Sequence, residues 1–401
     1  MAEPLDLDAL KRGLSAPASA RIYLDHNAST PLRPEVRAAM DPWLGARFGN
    51  AESLHREGQA ARAAVESARR ACAEVLGCEP EAIVFTGGGT EALNLALRGI
   101  AWTRRLAGQG MRLVASAVEH AAVDETLLSL DEEGFDRLLV SPEADGRVDP
   151  ERYAAALDDW TALGALIYAH NETGVIQPVR EAAAACAELR IPFVLDAVQA
   201  AGKLTLKVEE LGCAALALSA HKFGGPQGAG LLYLRPGTPF RGALTGGGQE
   251  GGRRGGTHAV AQIAGLAEAL RLAEAGRAAE TPRLNALRES LEAGLLRIAP
   301  NLVLHGAGAE RLSQTIFASF PGLESAALVN GLDLEGVAVS SGAACSEGTH
   351  VANRTLQAMG VSAALAKSAV RFSLGRTSTA TDVERALEGM ARVVNRLKSK
   401  K

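Results

Sequence analysis

Cysteine is scarce in this chain: five in 401 residues, at positions 72, 78, 186, 213 and 345. Their number is odd, they are scattered, and no C-x-x-C pair occurs, which argues against a disulfide framework and for a reducing compartment. No apolar run approaches the roughly 18 residues of a membrane-spanning helix, so no membrane partner is expected. Neither sign of charge dominates: 42 Lys and Arg stand against 46 Asp and Glu, a net −4. That balance gives no reason to expect nucleic acid or an anionic membrane surface as a partner. The first twenty residues, MAEPLDLDALKRGLSAPASA, lean acidic and lack an apolar core, so they do not read as a secretory signal. A cytoplasmic protein is expected. There is no internal repeat, and no Gly-Lys-Ser/Thr follows a glycine loop, which argues against a nucleoside triphosphate as ligand.

What is present is a chain long enough for two domains and 47 % hydrophobic, as a well-packed α/β protein requires. Residues 1–20 read as an N-terminal arm. After a short strand at Ile22–Leu24 comes a polar loop, Asp25 to Pro31. Apolar residues at 61, 64, 65, 68, 72, 75 and 76 then predict a helix with one buried face over 55–77. Strands are expected at Ala82–Phe85, Arg112–Ala117, Arg137–Val140, Leu163–Ala169, Ile191–Leu195, Leu216–Leu218 and Gly230–Leu234, with helices between several of them. Polar residues gather at the C-terminal ends of these strands, where parallel sheets bind ligands. The glycine-rich run 245–257 marks a boundary between a large domain, 21–258, and a smaller α+β domain, 259–401. Two helices, Ala259–Ala279 and Arg283–Ile298, are expected to open the second.

The chemistry centres on LALSAHKFGG, residues 216–225. A lysine at the end of a buried strand is costly unless it is paired, neutral or covalently used. Upstream, Thr86-Gly-Gly-Gly-Thr90 sits between a strand and a helix, where free backbone N–H groups and the helix dipole face an anion, usually a phosphate. Asp196 ends one strand and His120 follows another. Taken singly, Asp196 reads equally as a helix cap and His120 as a satisfied core histidine. Together with Lys222 they form the set that pyridoxal phosphate needs: a lysine, an acid for the ring nitrogen, an anion cradle and a flat group over the ring.

The chain resembles the class V aminotransferases, and within them the cysteine desulfurases. The resemblance runs from Tyr23 to about Arg376 through YLDHNASTP (23–31), GGGTEALNLA (87–96), EH (119–120), HNETGV (170–175), DAVQ (196–199), SAHKFGGPQG (219–228), SSGAACSEG (340–348) and RFSLGR (371–376). It implies the fold-type I pyridoxal phosphate architecture: a large domain with a mostly parallel seven-stranded sheet, a smaller α+β domain, and a homodimer with sites at the subunit interface. It also implies that Lys222 holds pyridoxal 5'-phosphate, Asp196 pairs with the ring nitrogen, Gln199 contacts the ring hydroxyl and His120 stacks on the ring. Gly89, Thr90, Ser219 and His221 would bind the phosphate, with Thr257 reaching across from the other subunit. Asn171 and Arg371 would hold the substrate carboxylate, and no metal is expected.

Cys345 separates the branches of the family. It lies among small residues, Gly342, Ala343, Ala344 and Gly348, that would let its loop move, whereas the other four cysteines sit on or beside apolar helical stretches. The resemblance therefore implies attack by Cys345 on the sulfur of L-cysteine, leaving alanine and a persulfide for an acceptor such as an iron–sulfur scaffold protein. The alternatives are a selenocysteine lyase or another class V enzyme, a C–S lyase or aminotransferase. A non-catalytic assembly protein is disfavoured, since Lys222, Asp196, Arg371 and Cys345 are all retained. Two departures bear on the acceptor: Gly251 stands where relatives commonly carry arginine, and the chain ends at Lys401, soon after RFSLGR.

Overall fold

A computed structural model describes residues 21–341 and 353–399. The strands are β1 (Ile22–Tyr23), β2 (Ile83–Thr86), β3 (Arg112–Ser116), β4 (Asp136–Val140), β5 (Thr161–Ile167), β6 (Phe193–Asp196), β7 (Ala215–Ser219), β8 (Gly230–Leu234), β9 (Val303–His305), β10 (Thr315–Ser319), β11 (Val337–Ala338) and β12 (Ala369–Ser373). Seven of them form one sheet in the order β2-β8-β7-β6-β5-β3-β4. Every pairing in it is parallel except those of β8, which runs against both β2 and β7. Strands β5, β6 and β7 are buried along their whole length, as their unbroken apolar runs require once helices cover both faces. Their C-terminal ends lie side by side, because β5 pairs with β6 and β6 with β7.

A second, smaller core is built around the antiparallel sheet β12-β10-β9 and the parallel pair β1–β11. Ile22 and Leu24, early in the chain, are buried in this core rather than under the large sheet. The two helices expected around Pro282 are one, Val260–Ile298. A proline inside a helix removes one hydrogen bond and costs about 3 kcal/mol, so the sequence reading breaks there. Burial on both sides outweighs that cost: Ile263, Leu266 and Leu270 pack into the first core, Leu284, Leu291 and Leu295 into the second. The helix thus ties the two cores together. Its exposed face carries Glu–Arg pairs three residues apart, such as Glu274–Arg277 and Glu280–Arg283.

The helix foreseen over 55–77 is Arg56–Leu76, capped by the His55 ring, which accepts the Gly58 N–H at 3.3 Å, and closed by Gly77 in the left-handed region at φ 69°. Among the described residues, no helix is long and apolar enough to cross a membrane.

Candidate active site

A cavity of about 390 Å³ opens where β2, β3, β5, β6 and β7 end and the smaller core meets them. Lys222 stands at its centre. Strand β7 stops at Ser219, and the single turn Ala220–Lys222 swings the lysine toward the polar loop that follows β1. There Nζ donates to the carbonyls of Asn27 (2.7 Å) and Ala28 (2.9 Å). The loop is stitched to the lysine turn: Thr30 donates to the His221 carbonyl through both its N–H and its hydroxyl, and the Thr30 hydroxyl accepts the Gly224 N–H. Burial, helped by the Arg371 charge, pushes the Lys222 ammonium down to about 8, against the opposing pull of Asp196 and Asp25.

Asp196, the last residue of β6, is buried and accepts the Val198 N–H at 3.0 Å. Burial raises its carboxyl, while nearby His120 and Lys222 pull it back. His120 caps the helix Ala121–Glu132, its Nδ1 accepting the Ala122 N–H at 3.0 Å. This cap holds the His120 ring at the cavity wall, while Asp196, which reads from sequence also as a helix cap, precedes no helix. Gln199 donates to the Asn27 carbonyl (2.9 Å) and accepts from Lys203 Nζ (3.1 Å). His221 pairs with the Ser29 hydroxyl at 3.3 Å, and burial pushes its imidazole down to about 4.

On the opposite wall Arg371, only 2 % exposed, comes from β12 of the smaller core. Its Nη2 donates to Asp25 (2.7 Å), its Nη1 to the Asn171 carbonyl (3.1 Å), and its Nε has no partner. The Asn171 carbonyl also accepts from Asn27 Nδ2 at 3.1 Å, and Asn171 lines the cavity.

The described residues fit pyridoxal phosphate. The helix Gly89–Leu106 starts at the cavity with no side chain capping it, so its first N–H groups and dipole are available to a phosphate. A Cβ at Gly89 would stand 2.7 Å from Val198 Cγ2, so only glycine lets that backbone come so close. Thr90 and Ser219 line the same end. Among the described residues Asp196 keeps one oxygen without a hydrogen-bond donor, open to a ring nitrogen, and Lys222 is a lysine eased toward its neutral form.

The structure therefore brings together Gly89, Thr90, His120, Asn171, Asp196, Gln199, Ser219, His221, Lys222 and Arg371. Thr257 is exposed and does not line the cavity of its own chain. Cys345 lies outside the described residues. Of the other cysteines, burial drives the thiols of Cys186 and Cys213 to about 12 and Cys78 to about 11, and that of Cys72 higher still.

Several lining residues were not singled out from sequence. Asn27 braces Lys222 and Gln199 and anchors itself on the Thr315 hydroxyl at 2.9 Å. Glu119 is buried beneath the cavity, held by the Ser116 hydroxyl (2.5 Å) and the Ile167 N–H (3.0 Å), with its second oxygen unpartnered. Burial, partly offset by the Ser116 hydrogen bond, pushes its carboxyl up to about 8. Asn353 donates to Glu172 at 3.0 Å, and Arg354 pairs with Asp124. Asn27 and Glu119 lie in the motifs YLDHNASTP and EH, while Asn353 and Arg354, at a helix start, carried no signal in the sequence.

The family description aminotransferase class-V matches residues 22–386. Among curated proteins, the chain is 38 % identical over 378 residues to a cysteine desulfurase IscS of Dictyoglomus turgidum, covering 94 % of this chain and 95 % of that one. It is 40 % identical over 383 residues to a cysteine desulfurase of Cereibacter sphaeroides, covering 94 % and 97 %. Among solved structures, a NifS-like protein superposes with a TM-score of 0.88 at 32 % identity, over 94 % of this chain and 99 % of that one. A structure described as SspA in complex with cysteine gives 0.75 at 31 % identity, over 88 % and 98 %.

Proposed function

The chain belongs to the class V aminotransferase family, and from that premise we propose that it is a pyridoxal phosphate-dependent cysteine desulfurase that converts L-cysteine to L-alanine and carries the sulfur on Cys345. The observation that carries this is the convergence of Lys222, Asp196 and Arg371 with an uncapped helix start on one cavity, in a chain 37–40 % identical to cysteine desulfurases over about 94 % of its length.

Lys222 holds the cofactor, and Asn27 and Ala28 give up its amine when it does so. Gly89, Thr90, Ser219 and His221 hold the phosphate, with Thr257 of the partner subunit completing the cradle. When bound, pyridoxal phosphate supplies an electron sink that stabilises the carbanions the reaction forms on the substrate. Asp196 keeps a proton on the ring nitrogen, which that sink requires. His120 and Gln199, both lining the cavity, would help hold the cofactor ring. Arg371 turns from Asp25 to the substrate carboxylate, which its planar fork accepts at two points, and Asn171 adds a further donor.

The Cys345 thiolate then attacks the substrate sulfur. A sulfur–sulfur bond forms, the Cβ–S bond breaks, and its electron pair stays on the substrate until a proton arrives at Cβ. The products are alanine and a persulfide on Cys345, with no outside oxidant or reductant needed. Burial holds the other described thiols above the pH range where thiolates form readily, which supports the assignment to Cys345 by chemistry. Transfer of the sulfur to an acceptor such as an iron–sulfur scaffold protein, action as a homodimer and a cytoplasmic location belong to the same proposal. So does the division into an arm, 1–20, a cofactor-holding domain, 21–258, and a smaller domain, 259–401.

Incubation with L-cysteine tests this. The wild-type protein releases alanine, and mass spectrometry finds one extra sulfur on the peptide containing Cys345. The Cys345→Ala protein keeps the cofactor's visible colour and makes no alanine. Alanine at the wild-type rate from Cys345→Ala, or the extra sulfur on Cys72, Cys78, Cys186 or Cys213, sinks the proposal and leaves a lyase or aminotransferase on the same scaffold.

A further inference from the structure

On the far side of Lys222 lies a second cavity, of about 90 Å³, between the two cores. Ala201, Phe223 and Ala273 of the large core form one wall and Leu284 and Leu374 of the small core the other. Asn27 and Lys222 line both cavities and separate them.

Arg33, Lys203, Arg376 and His26 line this second cavity. Arg33 and Arg376 make no ion pair and no side-chain hydrogen bond among the described residues, and Lys203 meets only Gln199. Glu280 is the acid in the lining, and Arg283 already holds it at 2.7 Å while also donating to the Gly375 and Ser378 carbonyls. Glu35, Glu280 and Glu268 act on Arg33 through space, without an ion pair. His26 is 4 % exposed, its ring nitrogens make no hydrogen bond of good geometry among the described residues, and burial holds the imidazole down to about 4 against an opposing pull from the Tyr23 backbone, so the ring meets the cavity uncharged. A buried ring with both polar atoms unmet is costly and calls for a ligand or ordered solvent. The cationic groups also oppose one another: Arg376 acts against Arg33, and both Lys203 and Arg376 against a charge on His26. Burial and Lys222 together push the Lys203 ammonium down to about 7.

Cations that repel one another at the rim of a largely apolar cavity are relieved by an anion with several acceptor oxygens. The volume is several times what a single water needs. We propose that this cavity binds a small oxyanion of sulfate or phosphate size, gripped by Arg33, Arg376, Lys203 and His26 and bridging the two cores. Its occupancy reaches the first cavity through three hydrogen bonds: Lys203 to Gln199 (3.1 Å), Gln199 to the Asn27 carbonyl (2.9 Å), and Lys222 to that same carbonyl (2.7 Å).

The test titrates the cofactor-loaded protein, whose own phosphate fills the first cavity's cradle, with sodium sulfate and separately with sodium phosphate. Sodium chloride at matched ionic strength is the comparison. Calorimetry should find one saturable site per protomer, and the unfolding temperature should rise and level off as that site fills. Binding should weaken by at least about tenfold in Arg33→Gln/Arg376→Gln, because the site loses two charged donors. The single variant Arg376→Gln, at an exposed side chain, should weaken it in the same direction, with retained cofactor absorbance reporting the fold. Equal effects of chloride and the oxyanions overturn the inference. So does unchanged affinity in the double variant, which would put the anion at Arg371.

Discussion

At the scale of single residues, burial does much of the chemistry before any ligand arrives. The Lys222 ammonium is pushed down to about 8 by its surroundings and by Arg371. A neutral amine is the form that captures an aldehyde, so uptake of pyridoxal phosphate by the cofactor-free protein should accelerate with pH around a midpoint near 8. Stopped-flow absorbance measures this; a midpoint above 10, as for a free lysine, would show that the amine is not perturbed. Lys222→Ala should lose the visible band altogether. Arg371 faces a second kind of demand, since Asp25 already occupies part of its fork and only Nε is orphaned. Arg371→Ala should raise KM for L-cysteine steeply, with a loss of about 2–5 kcal/mol in kcat/KM, as for a buried charge pair deprived of one partner. An unchanged KM removes Arg371 from the substrate site. The roles proposed for Lys222 and Asp196 were legible because a charged residue at the end of a buried strand needs a reason, whereas Arg371 came only from the family resemblance. The Asp25–Arg371 pair was not, because no periodicity links residues 346 positions apart.

At the scale of elements, the glycine-rich run after β8 is more than a boundary. Glu250 within it is buried and accepts from both ends of the Arg69 guanidinium at 2.9 Å, from the Phe85 N–H at 3.0 Å and from His258 at 2.7 Å. Burial pushes its carboxyl up, but the hydrogen bonds from Arg69 and His258 outweigh this and hold it down to about 2. A carboxyl with a lowered folded value adds stability that is complete above about pH 4.3, its unfolded value, and drains away as pH falls toward 2. Glu250→Ala should therefore destabilise by about 3–5 kcal/mol near neutrality, since it strands the buried Arg69. The gap between variant and wild type should close in acid. Denaturant melts at pH 7 and pH 3 measure both, and a gap of constant size would show that Glu250 is not ionised in the fold. Gly251 beside it sits at φ +65°, a conformation that residues with a side chain rarely adopt.

At the scale of the whole molecule, the first cavity is assembled from two cores, with Lys222 supplied by one and Arg371 by the other. Thr257, exposed and absent from its own chain's cavity, belongs to the proposed two-fold dimer. Lys222→Ala and Thr257→Asp proteins, each inactive alone, should regain activity when unfolded and refolded together. A mixed dimer then has one site carrying both defects and one carrying neither. No recovery in dimers verified as mixed would keep Thr257 out of the partner's site.

The sequence by itself determined the alternation of strand and helix, the seven strands of the large sheet, the lysine turn after β7 and the residue types of a phosphate-and-lysine site. These depend on backbone propensity, side-chain period and turn chemistry, which act over a few residues and are written locally. Only the tertiary structure decided that the helix passes unbroken through Pro282, because packing at both ends outweighs one lost hydrogen bond. It also decided that His120 caps a helix while Asp196 precedes none, and that Asn27 braces Lys222 from 195 positions away. Burial and through-space charge set these pairings and the protonation of the groups in them, and neither quantity exists until distant segments of the chain meet.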